Sequence, residues 1–153
     1  MSAEQRVKEL GLDLPPAPKP VGTYVGGVRT GNLLFMSGCG PRRKDGSAIT
    51  GKLGETLTIE QGYEAARHTG LNMLANIRAT IGSLDKVKRV VKTLGMVNAA
   101  PHFNDSPKVI NGFSDLFVEV FGEAGKGARS AVGMAMLPSQ IAVEVEMILE
   151  LED

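Results

Sequence analysis

The sequence predicts an α+β domain in two layers, a mixed sheet of five or six strands with two helices packed on one of its faces. Three observations predict it. Two segments, opening at Thr58 and at Ser106, repeat apolar residues at spacings of three and four, as amphipathic helices do. The stretches before, between and after them are rich in alternating or β-branched residues, as strands are. The chain has 153 residues, too few for two independent cores, so one sheet has to bury both helices.

Ser2 with Gln5 forms a capping box for a short first helix around Val7 and Leu10, which Gly11 stops. Four prolines between Pro15 and Pro20 then impose extended chain. Residues 1–20 are accordingly expected to form an amino-terminal arm laid over the body or reaching a neighbour, with a single domain over 21–153. Tyr24 to Thr30, Gly31-Asn32 and Leu33 to Ser37 read as a hairpin, because Gly and Asn tolerate the positive φ of tight turns. Gly38-Cys39-Gly40-Pro41 closes it, and a short return strand is expected at Ala48–Thr50.

Thr58 and Gln61 cap the longest helix, whose stripe is Ile59, Tyr63, Ala66, Gly70, Leu74, Ile77 and Ile81, ended by Gly82. Lys88 to Asn98 is a β-branched strand bounded by Pro101. Ser106-Pro107 suggests an N-cap followed by proline in the first turn, and Val109, Ile110, Phe113, Leu116, Phe117 and Val120 make the apolar face behind it. Glycines 122, 125 and 127 suggest a flexible loop. Two strands, Ala128–Met136 and Ile141–Leu151, are expected to close the chain around Pro138-Ser139.

Lys plus Arg and Asp plus Glu both number 17, and the zero net charge gives no broad basic field for nucleic acid. The lone Cys39 cannot form an internal disulfide and has no recognisable base beside it. His68 and His102 lie in unrelated elements, without a second ligand at metal spacing, so no metal is expected. MSAEQRVKEL lacks a signal-peptide core, and no run approaches the roughly 18 apolar residues that span a bilayer; the default expectation is cytoplasmic.

The last two strands carry the functional pattern. In one, Ile141, Val143, Val145, Met147, Leu149 and Leu151 make a core face, and Ala142, Glu144, Glu146, Ile148 and Glu150 the opposite face. In the other, Ser130, Val132, Met134 and Met136 alternate with Arg129, Ala131, Gly133 and Ala135. The sheet face away from the helices is therefore expected to show small residues, Arg129 and carboxylates. An arginine among small residues can grip a carboxylate through two parallel donors, or instead form an ion pair with a sheet carboxylate. If the last two strands paired through a two-residue turn, Arg129 would stand opposite Ile148, roughly 13 Å along the strand from Glu144.

ARSAVGMAMLPSQIAVEVEMILE resembles the carboxy-terminal signature of the RidA/YjgF family, GTYVGGVRTGNLLFMSGCGP its amino-terminal hairpin, and VINGFSDLFVEVFGEAG its second helix. The resemblance covers roughly Val21 to Leu151. It implies a chorismate-mutase-like fold, a homotrimer whose sheets line a central barrel, and sites between subunits. It also implies cofactor-free hydrolysis of reactive enamines and imines of the 2-aminoacrylate type to 2-oxo acids and ammonia, with a small carboxylate-bearing imine or 2-oxo acid as ligand. Carried over by position, Arg129 would hold the carboxylate and Glu144 would orient water or shuttle a proton. Tyr24, Gly38, Asn111 and Ala131 would line the pocket. Ala131 stands where many deaminases of the family have cysteine, and Cys39 where glutamine usually follows Ser-Gly. Two other readings stay open: a non-catalytic metabolite-binding or regulatory module using the same arginine, and an endoribonuclease. The last lacks a His pair for acid–base work and a basic groove.

Overall fold

A computed structural model describes all 153 residues. The elements are α1 (Ala3–Glu9), β1 (Gly27–Thr30), β2 (Leu33–Cys39), α2 (Ile59–Ile81), β3 (Val87–Asn98), α3 (Ser106–Phe121), β4 (Ala128–Met134) and β5 (Val143–Leu151), with single turns of 3-10 helix at Leu84–Lys86, Gly122–Gly125 and Pro138–Gln140. The five strands form one mixed sheet in the order β1-β2-β5-β3-β4, in which only β3 and β4 run parallel. The fold is the two-layer α+β one that the sequence predicts, with five strands in the sheet.

Each long element follows from its residues. Both capping boxes form, Ser2 with Gln5 and Thr58 with Gln61, and Gly82 ends α2 in the left-handed region at φ 89°. The burial on α2 is wider than one stripe. Gly62, Ala65, Thr69 and Met73 are buried beside Ala66, Gly70, Leu74 and Ile77, because α3 packs on α2 from the side while the sheet lies beneath. The close approach depends on Gly112: a Cβ there would stand 2.0 Å from the Tyr63 carbonyl oxygen. All six apolar positions expected on α3 are buried.

β5 is the central strand, flanked by β2 and β3. Its alternate residues Val143, Val145, Met147, Leu149 and Leu151 are at most 2% exposed and form the floor of the core under α2 and α3. The amino-terminal helix docks on this body. Val7 is buried, the Glu4 carboxylate accepts from Arg78 and from the Leu84 amide, and Arg6 donates to the Glu119 carbonyl.

Several expectations are corrected. β1 begins at Gly27 rather than Tyr24, since the regular β1–β2 ladder ends at the Gly27–Met36 pair, where β2 bulges at Ser37-Gly38. Ala48–Thr50 makes only isolated bridges, to Arg42 and Ile141. The residue before α3 is Asp105, and Ser106 is already helical. The glycines at 122–127 do not make an open loop: Gly122–Gly125 is a helical turn packed on α3, where a Cβ on Gly125 would sit 2.3 Å from the Phe117 carbonyl oxygen.

The largest correction concerns β4 and β5, which do not pair. The connection after Met134 crosses the end of β3 and returns on its far side. Ala99 N donates to Met134 O at 3.1 Å, Asn98 N to Ala142 O at 2.9 Å, and the buried Asn98 amide to Gln140 Oε1 and Ile141 O, both at 3.2 Å. Ser139 and Gln140 take left-handed backbone, φ 55° and 56°, to complete that turn. Arg129 therefore stands opposite Thr93, not Ile148. Thr93 in turn faces Met147, a core position, so Arg129, Ala131 and Gly133 lie on the helix side of the sheet. Ser130, Val132 and Met134 point to the open face instead. The small residues lie under α3, where Gly95, opposite Ala131, leaves room for Ile110.

Candidate functional site

The residues singled out from the sequence fall into two groups at different parts of the sheet. The first is built on the edge strand β4 and on α3. Arg129 is half-buried, and its Nη1 donates to Asn111 Oδ1 at 2.8 Å and to Ser114 Oγ at 3.1 Å. No carboxylate of the chain lies within ion-pair distance of it. The ion pair weighed as an alternative is thus not made. A guanidinium has five N–H donors, and two bonds through one nitrogen leave Nε and Nη2 available. Ala131 follows on the same face of β4, two residues on.

A cleft of about 300 Å³ opens beside Arg129, lined by Thr93, Phe113, Ser114, Phe117, Lys126 and Gly127 among others. Its second cation, Lys126, is paired with Glu123 at 2.8 Å. Arg129 is the cation left to meet an anionic ligand there.

The second group sits at the bulge of β2. Gly38 lies against Glu144 of β5: a Cβ on Gly38 would stand 3.0 Å from Oε2 and 3.2 Å from Cδ. Tyr24 and Gly38 line one cleft of about 140 Å³ together with Lys19, Asn72 and Asn76, beneath the proline-rich segment Pro18–Val21. The Tyr24 hydroxyl oxygen accepts from Val21 N at 3.3 Å, which ties that segment to the cleft.

The three carboxylates on the outward face of β5 are not equivalent. Glu150 is held below the usual carboxylate range by hydrogen bonds from Lys88 and Arg89. Glu144 is pushed above it, first by burial and then by the charge of Glu146. A half-buried carboxyl with a raised pKa and no cation beside it keeps its proton to higher pH than an exposed carboxyl does, which suits it to proton transfer. Burial, with the Glu144 charge second, also pushes the Cys39 thiol up to about 12, so it stays protonated and serves as a packed hydrophobe.

Arg129 and Glu144, expected on one face, lie on opposite faces. Glu144 stands opposite Met96 and Val132, so three residues and two strands separate it from Arg129, about 14 Å between backbones. Arg129 and Asn111 meet within the chain, as do Gly38 and Glu144, while Tyr24 shares with Gly38 a cleft on the α2 side of β2 that Glu144 does not line; the two sets do not meet. The sequence reading missed Ser114, although its position three residues after Asn111 puts both on one face of a helix. It also placed Lys92 on no face; Lys92 lies opposite Ile148 and Ala128 on the open face.

That open face is apolar where it is not charged. Val28, Leu33, Phe35 and Val132 remain exposed, Phe35 by 41% and Val28 by 55%.

The profile of the family described as "YjgF/chorismate_mutase-like, putative endoribonuclease" matches residues 4–151. The chain is 44% identical over 148 residues to protein TCP17 of Trypanosoma cruzi, with 96% of this chain and 92% of that one covered. It is 30% identical over 142 residues to a 2-iminobutanoate/2-iminopropanoate deaminase of Dermatophagoides farinae, covering 92% and 95% of the two chains. The crystal structure of a protein of unknown function from Agrobacterium tumefaciens superposes with a TM-score of 0.90 at 40% identity, covering 98% of this chain and 92% of that one.

Proposed function

The chain belongs to the YjgF/RidA family, and from that premise we propose that it hydrolyses reactive 2-imino acids and their enamine tautomers to 2-oxo acids and ammonia. The observation that carries the proposal is the Arg129 guanidinium, fixed by two neutral acceptors of α3 and left without a carboxylate partner. A small 2-imino acid supplies that carboxylate, and a bidentate pair with Nε and Nη2 would orient its imine carbon.

The chemistry asks little more of the protein. An enamine takes a proton at its terminal carbon and becomes an imine. Water adds to the electrophilic imine carbon, and the resulting aminoalcohol loses ammonia as its C–N bond breaks, leaving the 2-oxo acid. Glu144 is suited to hold the water and pass the proton, because its carboxyl is half-buried and titrates above the usual range. No step in this sequence calls for a metal or an organic cofactor. Tyr24, Gly38 and Ala131 would bound the space around the small acid.

A single chain keeps the two groups about 14 Å apart on opposite faces, so a small acid cannot touch both within it. A homotrimer that buries the apolar open faces, and sets the β4 edge of one copy against the β1–β2 edge of the next, would join them. The exposed band of Val28, Phe35 and Val132 supports that assembly. The test is direct: generate 2-aminoacrylate in place and follow pyruvate and ammonia release with and without the protein. Acceleration above the spontaneous rate supports the deaminase. Tight binding of pyruvate without acceleration supports the metabolite-binding module instead.

A further inference from the structure

We infer that Ser114 is a positioning residue for Arg129, and that together with Asn111 it decides which edge of the guanidinium meets the substrate carboxylate. The inference rests on the reading of Arg129 as the carboxylate anchor. A guanidinium can grip a carboxylate bidentately end-on, through Nη1 and Nη2, or side-on, through Nε and Nη2. Nη1 has two hydrogens, and Asn111 Oδ1 at 2.8 Å and Ser114 Oγ at 3.1 Å take both. The end-on fork is thereby blocked, and the side-on edge is left whole.

The placement of the two acceptors makes this a built arrangement. Asn111 and Ser114 are three apart on α3, so their side chains project on one face of the helix, toward β4. Both are half-buried, and α3 is anchored behind them by fully buried Ile110, Phe113 and Phe117. Arginine is otherwise a long, rotamer-rich side chain, and on an edge strand it would sample many orientations. Both acceptors are neutral, so they orient the cation without cancelling its charge. A carboxylate at position 114 would orient it equally well and neutralise it.

The experiment compares five chains: the parent, Ser114→Ala, Ser114→Asp, Ser114→Thr and Arg129→Ala. For each, binding of 2-oxobutanoate and of its uncharged amide is titrated, and KM and kcat are measured for the imine. Ser114→Ala is expected to weaken 2-oxobutanoate binding and raise KM about tenfold, the order of one lost charge-assisted hydrogen bond, with much less change for the amide. Ser114→Asp is expected to match Arg129→Ala, with carboxylate preference abolished, while Ser114→Thr restores the parent behaviour. If Ser114→Ala and Ser114→Asp lower only the melting temperature and keep the preference for the acid over the amide, Ser114 is a structural clamp and the inference is overturned. If Arg129→Ala itself keeps that preference, the anchor reading fails first, which separates the two outcomes. Should Ser114→Ala fold poorly, Ser114→Cys, which keeps the volume but accepts hydrogen bonds weakly, carries the same expectation.

Discussion

The carboxyl group of Glu144 rests on the bare Cα of Gly38, so closely that a methyl group there would stand 3.0 Å from Oε2 and 3.3 Å from Cγ. The glycine at the β2 bulge therefore does a specific thing: it lets the neighbouring strand lay its carboxylate directly against the β2 backbone.

Gly38→Ala tests this contact. The backbone of Gly38 is not left-handed, so alanine is allowed, and the atoms it meets are the movable end of a side chain. We expect a stability loss under about 1 kcal/mol but a fall in kcat of about tenfold, as general acid–base groups contribute at least that much when well placed. Unchanged turnover with a folded protein would separate Gly38 from the chemistry.

Glu144→Gln should lower kcat more than it raises KM. It should also change how stability depends on pH. Because burial and the Glu146 charge raise the Glu144 pKa above 4.5 in the folded chain, the folded state holds more protons than the unfolded state between the ordinary and the raised value. Stability contributed by this group is therefore present below the ordinary carboxylate range and lost as pH rises through the raised one. The variant should lose less melting temperature than the parent between mildly acidic and neutral pH. Parallel pH profiles for the two proteins would contradict the assignment.

Much of the fold was legible because its signals are local. The stripe of α3, the two capping boxes and Gly82 each report on a few neighbouring residues and lie where the pattern puts them, while α2 buries Ala66, Gly70, Leu74 and Ile77 of its stripe but leaves Ile59, Tyr63 and Ile81 partly exposed. Strand pairing is not local. Val132 and Met134 alternate as a core strand would, but β4 turns them outward and turns Arg129 and Ala131 under α3. A sheet whose outer face is also apolar defeats parity as a guide to the inside. The Asn98 crossing, which separates β4 from β5, rests on contacts 42 and 43 residues apart in sequence. Asn111 was legible only by resemblance, and its partner Ser114 not at all, since nothing in a helix stripe says which strand side chain will reach it.

The open face predicts assembly. Light scattering at micromolar concentration should return a trimer, and Phe35→Glu, which puts a charge into the exposed apolar band, should shift it toward monomer and lower deaminase activity together. A monomeric parent protein with full activity would contradict the proposed joining of the two residue groups.

The amino-terminal helix should come loose in acid. The Arg78 hydrogen bond, with that from the Leu84 amide, holds the Glu4 carboxyl below its ordinary value. The stability this adds is present above the ordinary carboxylate range and lost as pH falls through the lowered value. Glu4→Gln should cost roughly 0.5–1 kcal/mol, as partly exposed pairs do, and speed hydrogen exchange in α1 while α2 and α3 stay protected. Equal exchange in parent and variant would show that Val7 alone anchors the helix.

The central claim is that Arg129 holds the substrate carboxylate, and steady-state kinetics of Arg129→Ala on freshly generated 2-aminoacrylate tests it most directly. Two charge-assisted bonds at roughly 1.5–3 kcal/mol each set the scale. We expect kcat/KM to fall by about two orders of magnitude or more, with only partial recovery in Arg129→Lys, whose ammonium lacks the parallel donors. Circular dichroism and light scattering of the variant should match those of the parent. If Arg129→Ala remains folded, keeps the parent assembly and retains near-parental turnover, Arg129 is a strap between β4 and α3, and the site lies elsewhere.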